Sequence, residues 1–270
     1  MINTFSFGSY ILVYNGQIYN TKELSETLKE NGFTLNSHSD TEVLLKSYIH
    51  YGKNVVNHLN GIFAFAIWDT NNNEIFLARD HFGVKPLFYT KIDETLVFSS
   101  EIKALFQYPG VKKVLNEQSI SELFGIGPAH TSGTTVFKNI YEIKPAHFGI
   151  FNKNGFNIKR YWKLKSEKHV DTFEETCEKL KFLLNDAITR QLVSDMPLCT
   201  FLSGGLDSSI ITKFASDYCE KQGLPPLDTY SIDYVDNDKN FVKSDFQPNS
   251  DNYYISLMNK SLHTNHHSIV

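Results

Sequence analysis

The stretch YILVYNGQIYN, residues 10–20, sets the pattern for the first part of the chain. Its apolar residues up to Tyr14 predict a buried strand, and the Asn15-Gly16 pair that follows predicts a tight turn. Backbone N–H groups at such a turn can point towards an oxyanion, although most Asn-Gly pairs are turns and nothing more. Only nine residues precede this stretch.

Two helices are predicted directly after this stretch. Asn20 lies three residues before Glu23, and Ser39 lies three residues before Glu42, which is the spacing of a capping box. The apolar residues that follow recur with helical spacing, and the second run ends at Gly52.

Antiparallel strands dominate the chain from there to Trp162. GIFAFAIWDTNNNEIFLARD (residues 61–80) is an apolar run, a polar turn and a second run. PLFYTKIDETLVFSS (86–100) and GIFNKNGFNIKRYW (149–162) repeat that pattern, the last around an Asn-Gly pair.

The composition changes after Trp162. Residues 163–171, KLKSEKHVD, are polar and charged and are interpreted as a linker. Thr172 and Glu175 then predict a capped helix with one apolar stripe, in a helical run that Pro197 ends. LCTFL (198–202), a helix ending near Gly223, and DTYSIDY (228–234) predict a parallel α/β unit. The stripe comprises Phe173, Cys177, Leu180, Leu184, Ala187 and Ile188.

Length and composition exclude several classes of protein. With 270 residues, 41% of them hydrophobic, the chain can bury a core, and its net charge of −4 argues against nucleic acid as a partner. No apolar run is long enough to span a bilayer and the N-terminus lacks a signal-peptide pattern, so we expect no membrane association and a cytoplasmic location. Cys177, Cys199 and Cys219 are interpreted as reduced, partly buried thiols.

FLSGGLDSSII, residues 201–211, predicts a phosphate-binding loop. Glycines after a buried strand allow close backbone approach, and the helix that follows offers free N–H groups and a partial positive charge. Asp207 is an anion where phosphate is expected, which is consistent with a bridging Mg²⁺. The loop matches neither G-x-x-x-x-G-K-[ST] nor G-x-G-x-x-G. The alternative is a tight strand–helix turn in which Ser203 caps the helix.

These motifs together resemble a known two-domain family. S-G-G-x-D-S resembles the pyrophosphate loop of the ATP pyrophosphatases. VYNGQIYN, SDTEVLL, LNGIFAFAIWD, FLARDHFGVKPLFY and FSSEIKALF resemble the glutaminase domain of glutamine-hydrolysing asparagine synthetases, and YWKL, LSGGLDSS, TYSIDY and TNHHSIV resemble their synthetase domain. The resemblance implies an α+β and α/β two-domain chain. A partial αββα N-terminal-nucleophile-hydrolase sandwich would span residues 1–162, with a linker at 163–171 and a partial parallel α/β ATP-pyrophosphatase domain at 172–270.

The resemblance also implies roles for individual residues. Asn15 and Gly16 match an oxyanion hole, while Gln17 and Asp40 match the site for the α-ammonium of glutamine. Gln17 stands where the family more often has Glu, so we expect a weaker grip on the ammonium. The ATP-binding positions are Leu202 and Ile232 beside adenosine, and Ser203, Gly204, Gly205, Asp207 and Ser208 around pyrophosphate and Mg²⁺.

Three sets of residues have simpler interpretations. Asp40 can be a helix-terminal carboxylate. Arg79-Asp80 is interpreted as a surface ion pair of little energetic value. His266-His267 lacks the partners and spacing of a metal site and is interpreted as a strand end.

Some of the family's parts are missing from this sequence. The glutaminase nucleophile is an N-terminal cysteine, whereas this chain starts Met1-Ile2 and its first cysteine is Cys177; no arginine precedes Arg79. We therefore expect a fragment without the family's N-terminal strands, in which Val270 falls in the second strand of the synthetase sheet.

The resemblance implies ATP-dependent asparagine synthesis from aspartate, with glutamine as the ammonia donor and Mg²⁺ as cofactor. Two alternatives stay open at this point. One is a different ligase or amidotransferase with the same pair of domains, and the other is an inactive nucleotide-binding remnant or interaction module. Exposed sheet edges would favour a homodimer or a complementing chain.

Overall fold

The computed structural model describes residues 3–127, 130–245 and 249–270, so that Met1 and Ile2 lie outside it. The chain forms two compact units, Met1–Glu167 and Lys168–Val270. Within the described ranges, every helix falls short of the length and apolarity that crossing a bilayer requires.

The first unit is built mainly of antiparallel strands, with its helices between them. Its strands are β1 Asn3–Phe7, β2 Tyr10–Ile18, β3 Gly61–Asp69, β4 Glu74–Arg79, β5 Phe88–Ile92, β6 Thr95–Ser99, β7 Tyr141–Glu142, β8 His147–Asn152 and β9 Gly155–Arg160. Its helices are α1 Thr21–Glu30, α2 Asp40–Tyr51, α3 Ile102–Leu105 and α4 Glu117–Gly125, and a 3₁₀ helix spans Gly52–Asn57.

Two sheets pack face to face in this unit. The larger sheet has the order β1-β2-β3-β4-β8-β9, and the smaller one has the order β6-β5-β7. One face of the larger sheet packs against α1 and α2 through a core that includes Leu28, Leu44 and Phe65. The opposite face contributes Ala64 and Leu77 to a second core shared with the smaller sheet. With α3 beside β5 and β6, the layers are those of a partial αββα sandwich.

The predicted turn at Asn15-Gly16 is wrong. β2 continues through both residues to Ile18, with Gly16 opposite Phe63 of β3. A Cβ atom on Gly16 would lie 2.2 Å from the carbonyl oxygen of Ile62 and 2.8 Å from the Cα of Phe63. Glycine is therefore required here because β3 approaches closely, and not because the chain reverses direction.

The predicted helix starts are confirmed in position. Ser39 caps α2 by accepting a hydrogen bond from the Thr41 N–H at 3.2 Å. Asn20 occupies the N-cap of α1 without capping it, since its side chain donates to the carbonyl of His58 and accepts from the N–H of Asn60. This amide therefore fixes the start of α1 to the loop before β3.

Arg79 and Asp80 are buried, with exposed fractions of 7% and 1%, so the prediction of a surface ion pair is wrong. The Arg79 guanidinium donates to the Glu142 carboxylate at 2.8 Å and to the Ile143 carbonyl at 2.7 Å. Asp80 accepts the N–H groups of the loop that follows it and of Phe63 on β3. The two charges therefore serve different partners, Arg79 at the end of β4 and Asp80 in the loop that follows.

The second unit is a parallel α/β unit with the sheet order β10-β11-β12. Ala215, Cys219 and Leu227 form its buried core. Its elements are α5 Phe173–Thr189, β10 Cys199–Phe201, α6 Leu206–Lys221, β11 Leu227–Ile232, α7 Asn237–Asn240, α8 Asp251–Ser261 and β12 Thr264–Ile269.

Several expectations for this unit need correction. Val270 follows the third strand of the sheet and not the second, and His266 and His267 lie inside β12 rather than at its end. The helical run ends at Thr189 and not near Pro197, and residues 190–198 form turn, coil and bend before β10. The Thr172–Glu175 capping box is confirmed, but the stripe of α5 is not buried.

The cysteines also differ from the expectation. Cys177 and Cys199 are exposed, because α5 contributes no buried residue and β10 is short with exposed ends. Cys219 alone is buried, since α6 packs this part of its surface against β11.

Replacing Gly16 by alanine tests the close approach of β2 and β3. We expect Gly16→Ala to lower the free energy of unfolding of the first unit by roughly 2 kcal/mol or more, because the new methyl group collides with backbone atoms. Both tryptophans, Trp68 and Trp162, lie in this unit, so fluorescence-detected urea unfolding reports on it selectively.

The matched control is Gly125→Ala at the end of α4, where a Cβ atom meets nothing within 4 Å. That change should leave stability unchanged or raise it slightly. Equal stability of the two variants would contradict the steric interpretation of Gly16.

Candidate functional site

Asp40 is the first residue of α2 and contacts β2 directly. One of its carboxylate oxygens accepts hydrogen bonds from the Tyr14 hydroxyl at 2.8 Å and from the Ile18 N–H at 3.2 Å. Burial raises the pKa of Tyr14, and the negative charge of Asp40 raises this pKa further. Asp40 is therefore fixed at the end of β2, which a carboxylate that only terminates a helix would not require.

The loop before Asp40 is held by a buried ion pair. The Glu42 carboxylate accepts hydrogen bonds from the N–H groups of Asn36 and Ser37 at 2.7–3.1 Å. Lys46 donates to Glu42 at 2.6 Å and also to the carbonyl of Thr34. Burial by itself would raise the pKa of Glu42, but the hydrogen bonds from Lys46, Ser37 and Asn36 outweigh burial and lower it to about 2.

Asn15 and Gln17 follow the alternation of β2. Tyr14, Gly16 and Ile18 point to the face covered by α2, so Asn15 and Gln17 point to the opposite face. The structure brings Asp40 to the N–H of Ile18, one residue beyond Gln17. The four residues expected to bind glutamine therefore lie together around the C-terminal half of one strand, on both of its faces.

A cavity of about 230 Å³ lies between the two sheets beside Asn15. Its floor includes Ala64 and Ala66 of β3, whose small side chains leave room, and its far wall includes Phe98. Ser99 and Ser100 add polar groups to the lining, and the first 176 residues of the sequence contain no cysteine. The cavity thus provides space and an amide but no thiol.

Two of these contributors could not be identified from motifs. The sequence pattern predicts Tyr14 only as part of a buried strand, although a buried tyrosine generally needs a partner for its hydroxyl. Asp80 accepts the N–H of Phe63, the residue opposite Gly16, and so supports β2 from behind β3. The signal for Tyr14 is its place on the apolar face; no local signal marks Asp80.

The loop after β10 forms a separate arrangement in the second unit. The Ser203 and Ser208 hydroxyls lie 3.0 Å apart, and Ser208 also donates to the Gly205 carbonyl at 3.1 Å. Gly205 is the N-cap residue of the 16-residue helix α6, and no side chain caps this helix. The alternative in which Ser203 caps the helix is therefore wrong, since its hydroxyl is used within the loop.

The remaining loop residues have distinct positions. Gly204 has φ +77°, and a Cβ there would lie 2.8 Å from the Asp251 carbonyl oxygen, so only glycine fits. Leu202 is buried and donates its N–H to the Tyr230 carbonyl, while Ile232 is exposed where β11 ends. Asp207 lies exposed in the first turn of α6. Free N–H groups, hydroxyls and one carboxylate suit a phosphate chain carrying a metal ion.

Comparison with known proteins gives two domain matches. Residues 4–162 match the family model described as a glutamine amidotransferase domain, and residues 179–270 match the model described as asparagine synthase.

Three relatives illustrate the similarity. The chain is 52% identical over 270 residues to asparagine synthetase [glutamine-hydrolyzing] 3 of Bacillus subtilis, which covers 100% of this chain and 44% of that protein. It is 34% identical to asparagine synthetase [glutamine-hydrolyzing] 2 of the same species, covering 97% of this chain and 34% of the relative. It is 31% identical to amidase chry2 of Gibberella zeae, in a match that covers 80% of this chain and 32% of that relative. The chain thus spans less than half the length of these relatives.

The ion pair below Asp40 predicts a pH dependence of stability. The pKa of Glu42 is about 2 in the folded chain against 4.5 ordinarily, a difference that corresponds to about 3 kcal/mol. Because the folded pKa is the lower one, this contribution is complete above pH 4.5 and is lost as the pH falls towards 2. Urea unfolding followed by tryptophan fluorescence between pH 7 and pH 2 measures it.

Variants separate this contribution from other acid effects. Glu42→Gln should lose roughly 3–5 kcal/mol at pH 7, because it leaves Lys46 buried without its partner. The double variant Glu42→Gln with Lys46→Met should recover part of that loss and show a weaker decline between pH 4.5 and pH 2. A double variant whose pH profile matches the unmodified chain would contradict this assignment.

Proposed function

The chain belongs to the glutamine amidotransferase family and is related along its whole length to the glutamine-hydrolysing asparagine synthetases, and from this premise we propose that it serves ATP-dependent asparagine synthesis. By family it is a carbon–nitrogen ligase. The proposal rests on two features present in one chain. The Asp40 carboxylate is hydrogen-bonded to the end of β2, and α6, a helix that no side chain caps, follows a serine-glycine loop.

In the first unit, we propose that Asn15 and Gly16 stabilise an oxyanion. When a thiolate attacks the side-chain amide of glutamine, negative charge develops on the amide oxygen, and a fixed donor there can contribute a few kcal/mol. Asp40 would accept the α-ammonium of glutamine, with Gln17 as a neutral partner. Tyr14 holds the Asp40 carboxylate in place through its hydroxyl.

The thiol itself is proposed to come from outside the described residues of the first unit. The cavity between the sheets borders Asn15 and is lined mostly by apolar side chains, so it can receive an extended segment. A complementing chain would carry that segment. This partner would place its thiol near Asn15, towards the end of β2 that Asp40 contacts.

In the second unit, we propose that the loop binds the pyrophosphate part of ATP. Ser203, Gly204, Gly205 and Ser208 would donate to phosphate oxygens, with Leu202 and Ile232 beside the adenosine. Aspartate would attack the α-phosphorus through its β-carboxylate, releasing pyrophosphate and forming β-aspartyl-AMP. Ammonia would then displace AMP to give asparagine. Mg²⁺, held on pyrophosphate near Asp207, would neutralise the phosphate charge.

Three further parts of the proposal concern boundaries, location and the acceptor. Residues 1–162 would act as the amidotransferase part and residues 172–270 as the ATP-binding part, joined by a linker at 163–171.

Free cysteines are consistent with a location in the cytoplasm. Similarity to a protein named as an amidase favours a second candidate, in which the same two domains act on an acceptor other than aspartate.

The phosphate loop can be tested by nucleotide binding. We expect the purified chain to bind Mg-ATP in isothermal titration calorimetry. Asp207→Asn should weaken binding about tenfold because it removes a charged oxygen ligand for Mg²⁺, and Ser208→Ala should do the same because it removes a hydroxyl donor to phosphate. Asp217→Asn is the control, since Asp217 pairs with Lys213 on the exposed part of α6. A folded chain without affinity for Mg-ATP would refute the proposed role of this loop.

Glutaminase activity tests the first unit. We expect the chain alone to convert no glutamine to glutamate, because no thiol is present in its first 176 residues. The measurement is coupled detection of glutamate with and without Mg-ATP. Turnover that persists through purification and disappears in Asp40→Asn would show that a nucleophile is present after all.

A further inference from the structure

A further cavity of the first unit lies at the C-terminal end of α2. It has a volume of about 490 Å³ and is bordered by the last turn of α2, the start of the 3₁₀ helix, and the β3–β4 hairpin. Tyr10, Tyr48, Lys53, Asp69 and Glu74 supply the side chains that give it its chemical character. Tyr48 is eight residues beyond Asp40, which corresponds to about 12 Å along the helix. The cavity is therefore distinct from the proposed glutamine site.

The cavity carries one negative charge in excess. Asp69 and Glu74 are buried, with exposed fractions of 3% and 6%. Lys53 pairs with Glu74 at 2.8 Å, whereas Asp69 receives only neutral hydrogen bonds, from the N–H groups of Asn71 and Asn72 and from the Asn72 amide. Among the described residues no cation forms an ion pair with Asp69. The carbonyl end of α2 adds further negative potential.

Tyr48 provides an independent sign of a ligand. Its side chain is only 4% exposed and its ring packs on Phe76 and edge-on to Tyr10. Across the described part of the chain, its hydroxyl makes no hydrogen bond, although buried phenol hydroxyls usually find a partner. Burial raises the pKa of Tyr48, and the nearby charges of Glu74 and Asp69 raise it further, so the group stays protonated. A neutral hydroxyl thus borders the cavity with a free lone pair.

We propose that this cavity binds a small organic ammonium ion. The ammonium would donate to the Tyr48 hydroxyl and to the Asp69 carboxylate, which both line the cavity. The amide of Asn54 offers a partner for a polar tail. The single positive charge of the ammonium would neutralise the one excess negative charge of the cavity. The volume is larger than a bare ion needs, and the two carboxylates disfavour an anion.

Titration of the full chain with ethanolamine hydrochloride tests the proposal. We expect saturable changes in the ¹H–¹⁵N NMR signals of Gly52, Lys53, Asn54 and Asn72 at pH 7. Ethylene glycol has a similar size and no charge, so it should produce none of these changes at the same concentration. Potassium chloride separates the organic ion from a simple cation. Equal changes with potassium, or none with ethanolamine, would overturn the proposal.

Two substitutions should act in opposite directions. Tyr48→Phe keeps the packed ring and removes only a hydroxyl without a hydrogen bond, so the fold should persist while ethanolamine binds about three- to tenfold more weakly. Lys53→Gln leaves Glu74 without its cation and should strengthen binding about threefold or more. Lys29→Gln, on the exposed face of α1, is the matched control and should bind as the unmodified chain does. Unchanged binding in Tyr48→Phe, or weaker binding in Lys53→Gln, would contradict the proposed geometry.

Discussion

The contact between β2 and β3 at Gly16 determines how the first unit presents its functional residues. Because the backbone of β3 approaches closely, β2 stays extended through Gly16 and its side chains continue to alternate. Asn15 then borders the cavity between the sheets, while Tyr14 and Ile18 meet Asp40 on the helix side. A turn at this point would have broken both relations, since residues after it would no longer follow the strand.

Buried charged side chains next to β3 stabilise its pairing with β2. Asp80 accepts the N–H of Phe63 and the N–H groups of the following loop, so its carboxylate is solvated by the backbone. Arg79 bridges to Glu142 on the smaller sheet. Arg79 and Asp80 each have a partner on an element distant in sequence, and removing that partner would leave a charge that water cannot reach. The two sheets are thus linked by contacts that depend on the completed fold.

Local sequence signals predicted the elements better than the contacts between them. The caps at Ser39 and Thr172 and the hairpin at Asn154-Gly155 were correct, because they depend on residues only a few positions apart. The turn at Asn15-Gly16 failed because the reason for its glycine is a strand 47 residues later, at Phe63. Membership of the family was predictable from the ordered motifs. Pairings such as Tyr14 with Asp40 were not, since strand alternation and helix packing decide them together.

Helix α2 relates Asp40 and the proposed ammonium site through its direction. Its N-terminal end carries partial positive charge and receives the carboxylate of Asp40, while its C-terminal end carries partial negative charge and borders the proposed ammonium site. The Glu42–Lys46 pair follows the same sense, with the acidic residue nearer the N-terminus. Both charges of this pair therefore lie where the helix dipole favours them, whereas Asp69 and Glu74 beside the C-terminal end of α2 add to its negative potential. A helix in this direction can stabilise a fixed anion at one end and a bound cation at the other, which is why both sites can share it without electrostatic conflict.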